Sequence, residues 1–278
     1  MDRHARLASA IPGYARGATL PVPGVWDGLS IRLVEQAGFA AAFLSGGALS
    51  MARHGRRDTG LVTMSELAQA VQLIREVSDL PLIVDIDTGF GNAENAARTI
   101  RVIEAAGASA VQIEDQVFPK RCGFLAGKAV IPAAEYADKL KAVLDARRRD
   151  TLVVARTDAR SVEGFAGALE RAELYAETGA DLIFVEGPDS AGEMATIGAD
   201  LGQSHPLVHN LVEGGHSPVD SAGELGALGY AIALHPLVLL HGLIRQGPRH
   251  LAALRASGST ASFRAEIADL HEFNALLG

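Results

Sequence analysis

One unit recurs along this chain without strict sequence repetition: an alanine-rich amphipathic helix, a glycine, and a short apolar run that ends in polar residues. Clear copies have their glycines at Gly38, Gly107, Gly179 and Gly229. A glycine in this place supplies the left-handed backbone conformation with which many helices end. Regular alternation of helices and strands is typical of an α/β fold with a parallel sheet.

The apolar runs predict eight strands. They lie at residues 22–26, 39–44, 82–86, 110–113, 152–155, 182–185, 207–209 and 230–234. A chain of 278 residues then has roughly 35 residues per unit, the proportion of a (β/α)8 (TIM) barrel. An open doubly wound sheet is the alternative. We predict one barrel domain over residues 1–278, with a helical C-terminal extension at about 236–278.

Polar groups at the ends of the predicted strands favour the barrel. They are Asp27, Ser45, Asp85, Asp87, Glu114, Arg156, Asp158, Glu186, Asn210 and His235. Barrel enzymes take their catalytic groups from the carboxyl ends of several strands. His235 precedes a proline, and we favour core packing over catalysis for it. No glycine-rich dinucleotide fingerprint or Walker loop follows a strand, so nucleotide sites lack support.

The third strand runs into two aspartates and a glycine-rich turn. Because side chains alternate along a strand, Asp85 and Asp87 are predicted to point to the same side. Two carboxylates at the end of an apolar strand are costly unless a cation lies between them, and Mg2+ prefers oxygen ligands. Capping of the helix that starts near Asn92 would explain one aspartate but not both. The pair therefore predicts a metal site.

Two further strand ends are suited to an anionic ligand. Arg156 and Asp158 repeat the two-apart spacing, and a guanidinium can bind a carboxylate through two parallel hydrogen bonds. The alternative is a structural ion pair of Arg156 with Asp158 or Glu186. The Ser45-Gly46-Gly47 segment offers a hydroxyl and backbone N–H groups to an anionic oxygen, although a tight turn explains it equally well when taken alone.

The connection after the fourth strand, at about 115–132, is longer than usual, and long connections in compact folds are often lids. Its glycines give it freedom to open and close. Within it, Cys122 follows Lys120 and Arg121. Neighbouring positive charge favours the thiolate and permits proton exchange near neutral pH. A lone cysteine is more often an inert core residue, but these neighbours favour a reactive one.

Composition excludes several classes of protein. The net charge of −8 and the aromatic content of 5% argue against a nucleic-acid surface. The longest apolar stretch, residues 230–244, is interrupted and too short for a membrane span. The first 17 residues lack the apolar region of a secretory signal. The single cysteine, Cys122, excludes an intramolecular disulfide and fits a cytoplasmic protein. An apolar helix at 236–244, beyond the eighth strand, predicts an oligomer.

Several motifs together resemble those of the isocitrate lyase/phosphoenolpyruvate mutase superfamily. They are Asp85-Ile-Asp-Thr-Gly-Phe-Gly-Asn92, Glu114-Asp-Gln116, Lys120-Arg-Cys-Gly123, Ala155-Arg-Thr-Asp-Ala159 and Asn210-Leu-Val-Glu-Gly-Gly215. The resemblance implies a (β/α)8 barrel whose last helix is exchanged between subunits, usually in tetramers. It also implies a Mg2+ site, in which Mn2+ could substitute, that binds a 2-oxo acid or an enolate-like product.

The resemblance further implies roles for individual residues. Asp85 and Asp87 would hold the metal directly or through water, with Glu114 in the same shell. Cys122 on the gating loop would be the proton donor of a lyase, and Arg156 would bind the substrate oxygens. The other substrate-binding residues would be Ser45, Gly46, Gly47, Asp58, Gly123, Phe124, Glu186 and Asn210.

Two departures from the family pattern concern the substrate. Phe124 stands where the lyases have a histidine, which removes an N–H donor, and methylisocitrate-type lyases have an arginine near His241. Both departures argue against a tricarboxylate substrate. The segment 210–215 is similar to the branch that contains dimethylmalate lyase, the petal death protein and carboxyphosphonoenolpyruvate mutase.

These observations predict a Mg2+-dependent carbon–carbon lyase that cleaves a small 2-hydroxy dicarboxylate, of alkylmalate or methylisocitrate type, to a 2-oxo acid and a carboxylate. One alternative is a phosphonate mutase of carboxyphosphonoenolpyruvate or phosphoenolpyruvate type, or an oxaloacetate decarboxylase or hydrolase. Another is a catalytically silent barrel that binds a 2-oxo acid. The expected assembly is a homotetramer, without nucleic-acid or membrane partners.

Overall fold

Eight parallel strands form a closed barrel in a computed structural model that describes residues 2–12, 17–121, 123 and 127–277. The strands are β1 (Leu20–Val25), β2 (Ala42–Leu44), β3 (Leu82–Asp85), β4 (Ala110–Glu114), β5 (Leu152–Thr157), β6 (Leu182–Val185), β7 (Leu207–Asn210) and β8 (Tyr230–His235). Each strand pairs with its sequence neighbours, and pairing of β1 with β8, Val22 opposite Leu234, closes the barrel. The predicted (β/α)8 barrel is confirmed, and the open sheet is excluded.

Helices connect the strands and surround the barrel. They are α1 (Arg3–Ala10), α2 (Gly28–Gln36), α3 (Gly46–Leu49), α4 (Met64–Arg75), α5 (Ala93–Ala106), α6 (Ala133–Ala146), α7 (Arg160–Thr178), α8 (Ala191–Asp200), α9 (Ala222–Ala227), α10 (Val238–Ser257) and α11 (Leu270–Leu277). A π-helical segment, Ser50–His54, continues α3, and a 3-10 helix, Ala261–Glu266, follows α10. None of these helices combines the length and apolar character needed to cross a membrane.

Glycines end the helices of the recurring unit, as the sequence predicts. Gly107 follows α5 with φ 117° and Gly179 follows α7 with φ 107°, both in the left-handed region. Strand β2 begins at Ala42 and not at the predicted residue 39. The reason is that the Phe39 N–H still donates to the Val34 carbonyl at 3.3 Å, so the turn that ends α2 includes Phe39.

Side chains alternate between two apolar clusters, and this alternation places the polar groups. On β3, Leu82 and Val84 pack in the outer cluster between sheet and helices, while Ile83 packs inside the barrel. Asp85 therefore continues the inward-facing row at the carboxyl end of β3. On β5, Val154 packs inside the barrel, so Arg156 also faces the barrel mouth. The period of two residues thus brings charged groups to one end of the barrel.

The C-terminal extension lies largely on the surface of the chain. Among the 20 residues of α10, only Leu240 is buried. Leu243, Ile244 and Leu251 are 61%, 63% and 67% exposed. Apolar side chains exposed in this number on one helix are typical of a surface that a partner covers.

Candidate active site

A cavity of about 50 Å³ lies at the carboxyl ends of the strands. Seven of the predicted site residues line it: Ser45, Gly47, Asp58, Asp85, Gly123, Arg156 and Asn210. They come from β3, β5 and β7, from α3 and from three loops, so the fold brings together residues that are far apart in sequence. Cys122 and Phe124 lie outside the described residues.

Asp85 and Asp87 meet through a tight turn, and not through an extended strand as the sequence pattern suggested. β3 ends at Asp85, and Asp87 has a left-handed φ of 49°. Its N–H donates to Asp85 Oδ1 at 3.1 Å. Both side chains are buried, and a Cβ at Gly46 would lie 3.2 Å from Asp87 Oδ1, tighter than an ordinary contact. Glycine at position 46 therefore leaves room for the two carboxylates.

Lys120 neutralises part of this acidic cluster, a role that the sequence analysis missed. Its Nζ lies 2.7 Å from Asp58 Oδ2 and 2.9 Å from Asp87 Oδ1, and its side chain is only 3% exposed. Burial raises the pKa of the Asp87 carboxyl to about 7, against the opposing attraction of Lys120. Burial acts to lower the pKa of Lys120, but the carboxylates, Asp87 foremost, raise it well above its ordinary value.

The donor set fits Mg2+. In the described parts of the chain, no three His, Cys, Asp or Glu side chains have the spacing of a preformed metal site. Mg2+ nevertheless binds through one or two carboxylates and keeps several waters, so Asp85 and Asp87 suffice as direct ligands. Gln112 adds a buried Oε1 that lines the cavity and has no hydrogen-bond partner among the described residues. The metal roles of Asp85, Asp87 and Glu114 stay predictions.

Arg156 is held among three buried carboxylates. Its Nε and Nη2 donate to Asp158 at 2.8 and 3.0 Å, and it lies 3.4 Å from both Glu114 and Glu186. Both ion-pair partners named by the sequence are therefore present. Burial acts to raise the pKa of Asp158, but Arg156 outweighs it and lowers this pKa to about 2. The guanidinium also lies 5.1 Å from the centre of the Phe184 ring, a cation–π contact.

Glu114 and Asn210 complete this side of the site. Burial raises the pKa of the Glu114 carboxyl well above its ordinary value, although Arg156 opposes the shift. Asn210 Nδ2 donates to Glu186 at 3.1 Å, while its buried Oδ1 has no partner among the described residues. A cavity that presents an unpaired amide oxygen beside a paired arginine can bind a ligand with both donor and acceptor groups.

A buried hydrogen-bond network that the sequence did not reveal supports Asp158. Asp115 accepts from the Asp158 N–H at 2.9 Å, from the Thr157 hydroxyl at 2.7 Å and from the Tyr175 hydroxyl at 2.9 Å. Arg171 lies 3.3 Å from the same carboxylate. Because these partners are 42 to 60 residues from Asp115, no local motif could have indicated them.

Other predicted residues have structural roles. Asp27 accepts from the Ser30 N–H at 2.8 Å and caps α2, and it does not line the active-site cavity. The Ser45 hydroxyl accepts from the Ala48 N–H at 3.2 Å and caps α3. Its use as a ligand for substrate stays a prediction. His235 is half-buried at the end of β8 and does not line the active-site cavity.

Comparison with known sequences identifies the family. The sequence profile of phosphoenolpyruvate phosphomutase matches residues 14–244. The chain is 38% identical over 257 residues to the 2,3-dimethylmalate lyase of Eubacterium barkeri, an alignment that covers 92% of this chain and 88% of that protein. It is 41% identical over 256 residues to a 2-methylisocitrate lyase of Aeropyrum pernix, with 92% and 82% covered.

Solved structures agree with this assignment. A crystal structure of 2,3-dimethylmalate lyase, described as a PEP mutase/isocitrate lyase superfamily member, superposes with a TM-score of 0.91 at 30% identity and covers 100% of this chain and 92% of its own. Oxaloacetate acetylhydrolase with 3,3-difluorooxalacetate gives 0.91 at 29% identity, covering 99% and 93%. Phosphonopyruvate hydrolase with oxalate and Mg2+ gives 0.86 at 28% identity, covering 99% and 95%. The chain therefore belongs to the PEP mutase/isocitrate lyase superfamily of enzymes.

Proposed function

We propose that this enzyme is a Mg2+-dependent carbon–carbon lyase that cleaves a small 2-hydroxy dicarboxylate to a 2-oxo acid and a carboxylate. One observation carries the proposal: the buried Asp85, whose carboxylate accepts from the N–H of the buried Asp87, lines one small cavity together with the buried Arg156 and with Gly123 of the loop after β4. Similarity to two lyases and to a hydrolase crystallised with Mg2+ and oxalate supports it.

The chain's own groups would bind and orient the substrate. Arg156 would bind a substrate carboxylate, and the N–H groups after Ser45 would bind the carboxylate of the forming 2-oxo acid. Bound Mg2+ would supply Lewis-acid stabilisation of the oxygen on which negative charge develops. Asp85 and Asp87 would hold that ion, and Mn2+ is expected to substitute for it.

Bond cleavage then follows retro-aldol chemistry. The C2 hydroxyl would pass its proton to Asp58, the carboxylate lining the cavity that is not assigned to the metal, and the hydroxyl oxygen becomes the carbonyl of the 2-oxo acid while the C2–C3 bond breaks. The bond's electron pair passes to C3, next to a carboxylate, and gives an enolate-like fragment. Cys122 would deliver the proton that C3 takes up, and the resulting thiolate would be protonated again from solvent.

The lining of the cavity favours an alkyl-substituted substrate over a tricarboxylate. Its apolar side is formed by Phe43, Met51, Val212, Pro236 and Leu237. Lys120 and Arg156 are the cations that line it in the described part of the chain, and each already contacts a buried carboxylate, Asp87 and Asp158 respectively. An extra carboxylate would lose hydration without a partner, whereas each buried methylene-sized group would gain about 0.8 kcal/mol.

A substrate panel tests this proposal. The purified enzyme is assayed with malate, 2-methylmalate, 2,3-dimethylmalate, 2-methylisocitrate, isocitrate and oxaloacetate, with Mg2+ and after chelation. We expect Mg2+-dependent cleavage with the highest kcat/KM for an alkylmalate, and incorporation of solvent deuterium at the α-carbon of the carboxylate product, which is C3 of the substrate. A higher kcat/KM for a tricarboxylate would contradict the proposal that the apolar lining favours alkyl-substituted substrates.

The panel separates the alternative functions when phosphonopyruvate, carboxyphosphonoenolpyruvate and pyruvate are added to it. Turnover of oxaloacetate alone would favour a hydrolase or decarboxylase, for which the similarity to oxaloacetate acetylhydrolase is the supporting observation. Conversion of phosphonopyruvate or carboxyphosphonoenolpyruvate would favour a mutase. If the enzyme acted on none of these compounds but bound pyruvate in calorimetry, it would be a silent 2-oxo-acid-binding barrel.

We also propose that the chain forms a homotetramer in which α10 packs against a neighbouring subunit. The exposed apolar side chains of α10 support this assembly. Light scattering at micromolar concentration should give about four times the 29.0 kDa mass of one chain. Replacing Leu243 and Ile244 by glutamate should reduce that mass. A monomeric wild-type protein would contradict the proposal.

A further inference from the structure

Gln116 forms hydrogen bonds with the backbone of Arg121 in the lid, the connection at about 115–132 that follows β4. Its Nε2 donates to the Arg121 carbonyl at 2.8 Å, and its Oε1 accepts from the Arg121 N–H at 3.0 Å. The same Nε2 also donates to Glu114 Oε1 at 3.0 Å. Gln116 is buried, and a backbone bridge to Val130 fixes it at the base of the lid. One amide thus joins the lid to a carboxylate of the site.

Lys128 forms a hydrogen bond with the backbone of Gly123, further along the lid. Its Nζ donates to the Gly123 carbonyl at 2.9 Å and to Asp158 Oδ1 at 2.8 Å, and its side chain is 4% exposed. Asp158 is the carboxylate that binds Arg156 through two hydrogen bonds. One ammonium therefore joins the lid to the support of the site's arginine.

Gly123 fits closely against the site in this arrangement. A Cβ at this position would lie 2.7 Å from Arg156 Nη2 and 2.8 Å from Glu186 Cδ, too close for any other residue without displacement. The backbone at Gly123 is thus pressed against the arginine and its carboxylate partner. Lys128 holds the carbonyl of this same residue.

We propose that Gln116 and Lys128 are positioning residues that form a clasp: Gln116 holds the backbone of Arg121 beside Glu114, and Lys128 holds the carbonyl of Gly123 beside Asp158. The inference rests on the proposed function, because it assigns the clasp the task of presenting the Cys122 proton donor. Opening the lid would break the contacts with Arg121 and Gly123, while the contacts with Glu114 and Asp158 could remain. Each clasp residue thus favours the closed lid without being needed for the barrel itself.

The clasp is tested with Gln116→Met and Lys128→Met, which keep side-chain size and remove the polar group. Lys128→Arg restores a cationic donor. Lys141→Met is the matched control, because Lys141 pairs with Asp145 on the exposed surface, where both side chains are 66% exposed. Two readouts are used: kcat and KM for the best substrate of the panel, and the rate of tryptic cleavage after Arg121, followed by mass spectrometry with Mg2+ and pyruvate.

We expect kcat to fall about 10- to 100-fold in each methionine variant while KM changes by less than about threefold, since a misplaced group slows the chemical step more than binding. Cleavage after Arg121 should become about tenfold faster or more, since the open lid is the form that trypsin cuts. Lys128→Arg should recover part of both quantities, and Lys141→Met should match the wild type.

Failure of the clasp and failure of the proposed function give different results. Wild-type kcat together with wild-type cleavage rates in Gln116→Met and Lys128→Met would overturn the clasp and leave the lyase intact. If the wild type cleaved no substrate of the panel, the lyase assignment would fall, and the proteolysis alone would decide the clasp. Equal cleavage of wild type and variants would then count against it.

Discussion

Asp85→Ala is expected to lower Mg2+-dependent turnover by about 10³-fold or more, while the protein stays folded. A metal that stabilises developing negative charge on oxygen contributes several kcal/mol to the transition state, and removal of a direct ligand forfeits most of this. The fold should tolerate the change because Asp85 shares its site with Asp87, and loss of one carboxylate relieves the repulsion between them. The measurement is kcat/KM as a function of Mg2+ concentration.

Binding should be measured apart from activity. Mn2+ titrated into the wild type by calorimetry should give one site per chain, and Asp85→Ala should weaken its affinity by at least about tenfold. Asp145→Ala is the control, because Asp145 is a surface carboxylate paired with Lys141. Thermal unfolding should be cooperative in all three proteins. Undiminished Mg2+-dependent turnover in Asp85→Ala would refute the metal assignment.

The fold could be predicted from the sequence because its determinants are local. The glycine after each helix, the length of each apolar run and the polar residue that ends it are all read within one unit, and Gly107 and Gly179 adopt the expected conformation. Closure of the barrel follows from eight such units. The error at β2 is also local, because Phe39 is apolar like a strand residue but completes the turn after α2.

The site was predictable only as far as the strands extend. Alternation along β3 and β5 correctly places Asp85 and Arg156 at the barrel mouth, because the backbone period fixes side-chain direction there. Gln112 could have been found by the same rule, since it lies two residues before Glu114 on β4. The site residues that lie on loops could be predicted only from their resemblance to the family's motifs.

Contacts between distant segments could not be read from the sequence. From the sequence, we interpreted Lys120 only as a positive charge near Cys122. In the structure its side chain lies between Asp58 and Asp87, and Asp58 is 62 residues from Lys120 in sequence. The tight turn at Asp87 is equally hidden, because an aspartate in a left-handed conformation is uncommon. Such contacts depend on how loops fold over the barrel and not on any local pattern.

Arg156→Lys is expected to lower kcat/KM by about 10²- to 10³-fold without unfolding the protein. Lysine keeps the positive charge among Asp158, Glu114 and Glu186, so no buried carboxylate loses its counter-charge. It cannot reproduce the planar fork that binds Asp158 through two atoms, so the cation would no longer be oriented toward the substrate. Arg156→Leu, by contrast, should cost about 3–5 kcal/mol of stability, because it leaves buried charges unpaired.

Arg160→Lys provides the matched control for this prediction. Arg160 also binds a carboxylate through two atoms, with Nε and Nη2 at 2.9 and 2.8 Å from Glu193, but its side chain is 20% exposed and does not line the cavity. The same chemical change there should leave kcat/KM within about twofold of the wild type, since partly exposed ion pairs contribute little. If both lysine variants retained wild-type kcat/KM and wild-type stability, Arg156 would be a structural ion-pair partner of Asp158, and the substrate carboxylate would bind elsewhere in the cavity.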